Sequence, residues 1–165
     1  MENRPRIKVD KTLLQKCMDI VALTFLILGI IYLSLEWSGI PNRVPVHFNA
    51  AGEADNWGSK TAIILMPGLG ILIWGVFTIL ERYPHRYNYV VKITEGNAAL
   101  QYRSAVVLMR FLKNTIAFLF AYLTVECVQI AKGLEEGLVW WVMPLFLTMI
   151  FSAIFLYLVH SIRWR

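Results

Sequence analysis

The residues able to do chemistry gather in two places. The first is a polar stretch between apolar blocks, residues 40 to 60, which holds His47, Asn49, Glu53, Asp55, Trp57 and Lys60. One histidine beside two carboxylates supplies metal-ligand types, but no HExxH or paired-cysteine spacing accompanies them, so neither a metal nor another cofactor is expected. The same residue types suit hydrogen bonding and surface recognition. His47, Asn49 and Asp55 would bond the loop's own backbone, Trp57 would sit at headgroup depth, and Lys60 would lie near phosphate. The second place is Glu126, set in an apolar run with Tyr122 one turn before and Gln129 one turn after. An ionisable group at bilayer depth is costly, which makes it a candidate site by default. Two readings of it stay open: a carboxyl kept protonated because desolvation disfavours the anion, or a group facing a wet pocket beneath the polar stretch, where it meets His47 or Lys60; a hydrogen-bonded structural glutamate is favoured over a proton relay. No nucleophile elbow, histidine–acid spacing or phosphate-cradling loop is present, and an enzyme is not indicated.

The elements that must position these residues follow from composition. Of the 165 residues 58% are hydrophobic and only 16% charged. The apolar residues form four blocks, 17–35, 62–80, 115–131 and 138–159, each near the roughly 20 residues that cross a bilayer core. Continuous apolar runs lack the alternation of a barrel strand, so the expectation is an all-α integral membrane protein, one domain over 1–165 with four transmembrane helices. The first block carries no cleavage signal behind it and is expected to be retained. A formal charge of +5 could point to nucleic acid, but placement argues otherwise, because thirteen Lys and Arg flank one side of the blocks and three (Arg43, Lys60, Lys132) the other. That bias puts both termini and the middle connection in the cytoplasm, and residues 36–61 and 132–137 outside. Membrane lipids are the expected surroundings, and nucleic acid is not an expected partner.

Local signals sharpen this outline. The basic residues 1–11 read as an irregular tail against anionic headgroups. Helix one should end near Trp37, with Gly39 in the left-handed conformation. Val44–Phe48 alternates like a short strand, and Asn49–Asp55 with Gly52 reads as a turn. Ser59 is placed as the N-cap of helix two, in which Pro67, Gly68, Gly70 and Gly75 predict a kink or a close helix contact. After an aromatic and basic turn at 83–89, residues 90–93 read as extended and Thr94 as an N-cap. From there to Ala131 a helix would run about 57 Å at 1.5 Å per residue, so its first part should project into the cytoplasm. Leu100, Val107 and Phe111 mark an apolar line on that part, with Arg103, Arg110 and Lys113 snorkelling to phosphates beside it. Cys17 and Cys127 stand too far apart along the spans for a disulfide and read as packing residues. Helix four opens at Trp140 and Trp141, contains Pro144, and closes at His160 and Trp164.

Pro41, Pro45, His47, Phe48, Asn49, Gly52, Asp55, Trp57, Gly58 and Lys60, followed by Pro67, resemble the DUF1648 domain, the amino-terminal domain of SdpI-type toxin-immunity and signalling membrane proteins. The resemblance spans 17–80. It implies a multi-pass protein of the bacterial cytoplasmic membrane that senses or neutralises a secreted peptide, and it transfers no catalytic residue. The leading functional expectation is therefore an outer loop, residues 40–60, that recognises an extracytoplasmic peptide or a partner membrane protein. The competing expectation is a small oligomeric transporter or proton-coupled carrier subunit, in which Glu126, Gln129 and kinks at Pro67 and Pro144 surround a substrate path.

Overall fold

The computed structural model describes residues 4–165. Among the described residues four helical stretches are long and apolar enough to cross a membrane, Leu13–Gly39, Lys60–Leu80, Ala98–Ala131 and Val142–Arg163; their α-helical parts are α1 Leu13–Glu36, α2 Leu65–Leu80, α3 Ala98–Ala131 and α4 Val142–Arg163. A two-stranded antiparallel hairpin, β1 Arg43–Phe48 with β2 Ala54–Ser59, fills the connection between α1 and α2. The strand expected at Val44–Phe48 is present, and the residues returning toward α2 pair with it.

Each helix starts and stops for local reasons. A reciprocal capping box opens α1: Gln15 N–H donates to Thr12 Oγ1 at 3.3 Å and Thr12 N–H to Gln15 Oε1 at 3.1 Å, which satisfies two of the orphan donors of the first turn. At its far end α1 tightens into a 3-10 turn, Trp37–Gly39. Gly39 is not left-handed there; among the described residues only Gly52 and Gly133 have positive φ, so the expected glycine cap is replaced by that tightening. Ser59 caps a 3-10 turn, Lys60–Ile64, rather than α2 itself, and its hydroxyl pairs with that of Thr61. Because α2 begins at Leu65, Pro67 falls in its first turn, and Pro144 falls in the first turn of α4. Pro144 thus costs α4 no intrahelical bond, while Pro67 falls where the 3-10 turn Lys60–Ile64 passes into α2. The close contact expected of α2 is made at Gly70, where a Cβ would lie 2.8 Å from Leu26 Cδ2 and 2.9 Å from Phe120 Cβ.

The long helix α3 is the axis of the molecule, with α1, α2 and α4 packed around it. Its inward positions change character along its length. Toward the hairpin, Cys127 and Val128 join Leu33, Ile40, Val44 and Ile63 in one apolar cluster. In the middle, Ala117 and Ala121 meet Ala22 and Leu26 of α1, small residues that let two backbones approach where lipid offers no hydrophobic drive. At the opposite end Ala98 and Tyr102 pack with Ile93 and with Ile7 and Val9 of the amino-terminal tail. Residues 90–93 form no strand, and Thr94 and Asn97 exchange hydrogen bonds one turn before α3 begins, with Asn97 as N-cap.

The tail is irregular, but it lies on protein: Arg4 donates to Tyr87 O at 2.7 Å and stands over the Tyr89 ring, while Val9 and Asp10 carbonyls accept from Arg110. The carboxyl-terminal half of α4 runs beside the first turns of α3. There Gln101 and Ser161 are both buried and bonded to each other. Of the two cysteines, Cys127 is a packing residue and Cys17 is exposed.

Candidate functional site

The hairpin is held at its root and open at its surface. Val44 is fully buried and Ile40 nearly so, which seats the start of β1 on α1 and α3. Past Phe48 the chain turns through Gly52, whose φ of 87° is the left-handed value that favours glycine. Gly52 O accepts from Leu138 N–H at 2.8 Å, and Glu53 bridges to Gly137, so the α3–α4 loop clasps the hairpin tip.

The six residues singled out from the sequence divide by role. Asn49 organises the turn: its Oδ1 accepts from Ala51 and Glu53 N–H at 2.9 and 3.0 Å, and its Nδ2 donates to Glu53 Oε2 at 2.8 Å. Lys60 docks the return strand, donating to Trp37 O and standing 4.5 Å from the centre of the Trp37 ring. These two are scaffold. His47 and Asp55 pair through Nδ1 and Oδ1 at 2.5 Å with side chains 65% and 44% exposed. The register passes from Pro45↔Trp57 to His47↔Asn56 to Phe48↔Ala54, which leaves Val46 and Asp55 as bulge residues; a bulge re-aims a side chain, and here it brings Asp55 to His47. Trp57 and Val46 are exposed by more than a third. His47, Asp55, Trp57 and Val46 thus form an outward surface on an anchored support. Glu126 does not belong to it. One of the two readings of Glu126 has it meeting His47 or Lys60; among the described residues it forms an ion pair with neither, Lys60 being bonded to Trp37 and His47 to Asp55.

The sequence reading missed a second site, at the other end of the bundle. Asp19 of α1 and Glu81 just after α2 face Arg110 and Lys113 of α3 and Lys11 of the tail. Lys113 Nζ lies 3.1 Å from Asp19 Oδ2 and 2.5 Å from Glu81 Oε1. Arg110 Nε donates to Glu81 Oε2 at 3.0 Å, and Lys11 Nζ reaches Asp19 at 2.5 Å and Glu81 at 3.2 Å. Asn114 completes the shell, donating to Asp19 Oδ1 at 2.9 Å and accepting from Trp74 Nε1 at 3.1 Å. Lys113 is fully buried and Arg110 4% exposed, so neither snorkels as expected; only Arg103 of that trio is exposed. The reason is partner supply, since a buried cation is tolerated where carboxylates and carbonyls meet it. Burial disfavours the Lys11 ammonium, yet the Asp19 hydrogen bond and the Glu81 charge outweigh it and hold its pKa above the ordinary lysine value.

Signals for this cluster existed in the chain. Asp19 interrupts the first apolar block, Glu81 directly follows the second, and Arg110 and Lys113 stand three apart, on one helical face. All four carboxylate oxygens are engaged, so the arrangement ties three helices and the tail together. Among the described residues no group of three or more His, Cys, Asp or Glu is placed to hold a metal ion.

Fold and sites together define a small helical protein with helices long and apolar enough to cross a membrane, a clasped hairpin at one end and a buried ionic cluster at the other. The sequence profile of a domain of unknown function, DUF1648, matches residues 20–71, from α1 through the hairpin into α2. An uncharacterized protein of Archaeoglobus fulgidus is 30% identical over 92 residues, covering 51% of this chain and 48% of that protein. The chain therefore spans about half the length of the curated relative it matches. No solved structure matches the chain.

Proposed function

We propose that this chain is a multi-pass membrane protein of the bacterial cytoplasmic membrane, with its termini and the α2–α3 connection cytoplasmic, whose hairpin recognises an extracytoplasmic peptide or a partner membrane protein. The orientation is supported by the excess of Lys and Arg at the tail end, the bias expected of cytoplasmic segments. The observation that carries the recognition reading is the division within the hairpin: Val44, Asn49, Gly52 and Lys60 immobilise it, while His47, Asp55 and Trp57 stand exposed. Recognition surfaces are commonly loops fixed on a rigid support, and preorganisation lowers the entropic cost of binding. A role in immunity or signalling, as the resemblance to SdpI-type proteins implies, is one form of this activity.

The test is crosslinking in native membranes followed by mass spectrometry, comparing wild type with His47→Ala/Trp57→Ala at matched abundance. A peptide or membrane protein captured by wild type and lost from the variant is expected. Identical capture by both would remove the hairpin surface from consideration and leave Glu126 as the next residue to vary.

A further inference from the structure

A groove of about 730 Å³ runs between α3 and α4 at the tail end of the molecule. Its walls are apolar, with Val107 and Phe111 on one side and Leu156 on the other, and its rim carries Arg103, His160 and Arg163. No acidic residue lines it. Unlike Arg110, the Arg103 guanidinium has no hydrogen-bond or ion-pair partner among the described residues, and Arg163 has only the ring of its neighbour Trp164, 5.8 Å away. Two guanidiniums thus stand without counter-charge at the mouth of an apolar slot, whereas Arg110 and Lys113 of α3 are paired with carboxylates.

The groove's depth follows from α4. Its 22 residues rise about 33 Å, close to the thickness of a hydrocarbon core. Trp140 and Trp141 precede it and Trp164 ends it, the positions of aromatic belts. His160 and Arg163 therefore lie at headgroup depth. Arg103 is held level with them by Gln101, whose buried amide donates to Ser161 O and Trp164 O, both at 3.0 Å, while Ser161 Oγ donates to Gln101 Oε1 at 2.6 Å. The two helices at the mouth are thus fixed against each other by these bonds.

We propose that this groove binds one anionic phospholipid, its phosphodiester between Arg103 and Arg163 and an acyl chain along Val107, Phe111 and Leu156. Arg presents a planar fork matched to phosphate oxygens, and basic pockets between membrane helices select anionic headgroups. A second copy of this chain on the same groove would oppose like charges, whereas an anionic lipid complements both rim and walls. The inference rests on the membrane-spanning reading and is independent of the hairpin's role.

The experiment is native mass spectrometry of the delipidated full chain incubated with phosphatidylglycerol or phosphatidylcholine of the same acyl composition. Retention of one phosphatidylglycerol, with a preference of about tenfold over phosphatidylcholine, is expected. That preference should vanish in Arg103→Gln/Arg163→Gln and persist in Arg43→Gln at the opposite end. Ala153→Trp, which fills the groove without changing charge, should abolish retention, and it decides the matter if the double variant does not fold. Glycerol phosphate, a headgroup without chains, should not compete. Equal retention of both lipids, retention unchanged by Ala153→Trp, or full competition by glycerol phosphate would each overturn the proposal. Carbonate extraction of the same membranes tests the spanning reading separately: a chain that stays in the pellet while showing no lipid preference contradicts the groove alone.

Discussion

Lys113 Nζ lies 3.1 Å from Asp19 Oδ2 on a side chain with no solvent exposure. With Lys11, Arg110 and Glu81 around them, the cluster sums three cations against two carboxylates. Removing Lys113 balances the charges, since Asp19 keeps Lys11 and Glu81 keeps Arg110. Removing Glu81 leaves three cations facing one carboxylate. Glu81→Gln should therefore destabilise the protein by about 3–5 kcal/mol, the cost of stranding buried charge, and Lys113→Met by clearly less. Thermal unfolding of both variants in one detergent measures the order; a reversed order would contradict this account of the cluster.

Gly70 and Gly75 lie on the same helix in different surroundings. A Cβ at Gly70 meets Leu26 and Phe120 at under 3 Å, and at Gly75 it meets nothing within 4 Å. Gly70→Ala should cost about 1–3 kcal/mol by overpacking, whereas Gly75→Ala should be neutral or stabilising by up to about 1 kcal/mol through helix propensity. The same unfolding assay reads both, and equal effects would mean that α2 does not approach α1 and α3 at Gly70.

Gly52 carries a φ of 87°, and a Cβ there would strike the Leu138 carbonyl. Gly52→Ala should release the hairpin tip from the α3–α4 loop while leaving the four helices intact. Amide exchange at residues 49–58 should quicken at least about tenfold, as expected when a local opening costs roughly 1.4 kcal/mol less. Unchanged exchange would show that the Leu138 bond does not fasten the tip.

The His47–Asp55 pair is exposed on both sides, and exposed pairs contribute little. His47→Ala should leave thermal stability within about 0.5 kcal/mol, while Asn49→Ala, which loses three turn bonds, should cost about 1–2 kcal/mol. A His47 effect as large as that of Asn49 would assign the histidine to the scaffold.

Burial pushes the Tyr87 phenol up to about 12, assisted by the nearby Glu81 charge; its hydroxyl donates to Leu80 O at 2.9 Å. The folded pKa exceeds the unfolded value, so this contribution to stability is complete below pH 10 and lost as pH rises toward 12. Alkaline titration of tyrosine absorbance should show a late component near pH 12 that Tyr87→Phe diminishes, and its persistence in that variant would assign the component elsewhere.

The amino-acid sequence by itself determined what depends on local composition. Four apolar blocks are enough to specify four long helices, because only intrahelical bonding satisfies the backbone of such runs in lipid. The strand at Val44–Phe48 and the glycine at position 52 were likewise legible, since β propensity and left-handed φ are properties of a few neighbouring residues, although the bulge at Val46 breaks the expected alternation of burial. What only the tertiary structure decided concerns charge. Arg103, Arg110 and Lys113 are alike as sequence, three basic residues at helical spacing beside an apolar line, and snorkelling is the natural expectation for all of them. Their fates diverge because Glu81 and Asp19, some thirty and ninety positions away, are brought against two of them and not the third. A cation's environment is set by partners that local pattern cannot supply, and so the buried cluster, the exposed Arg103 and the separation of Glu126 from His47 and Lys60 appear only once α1, α2 and α3 are packed together.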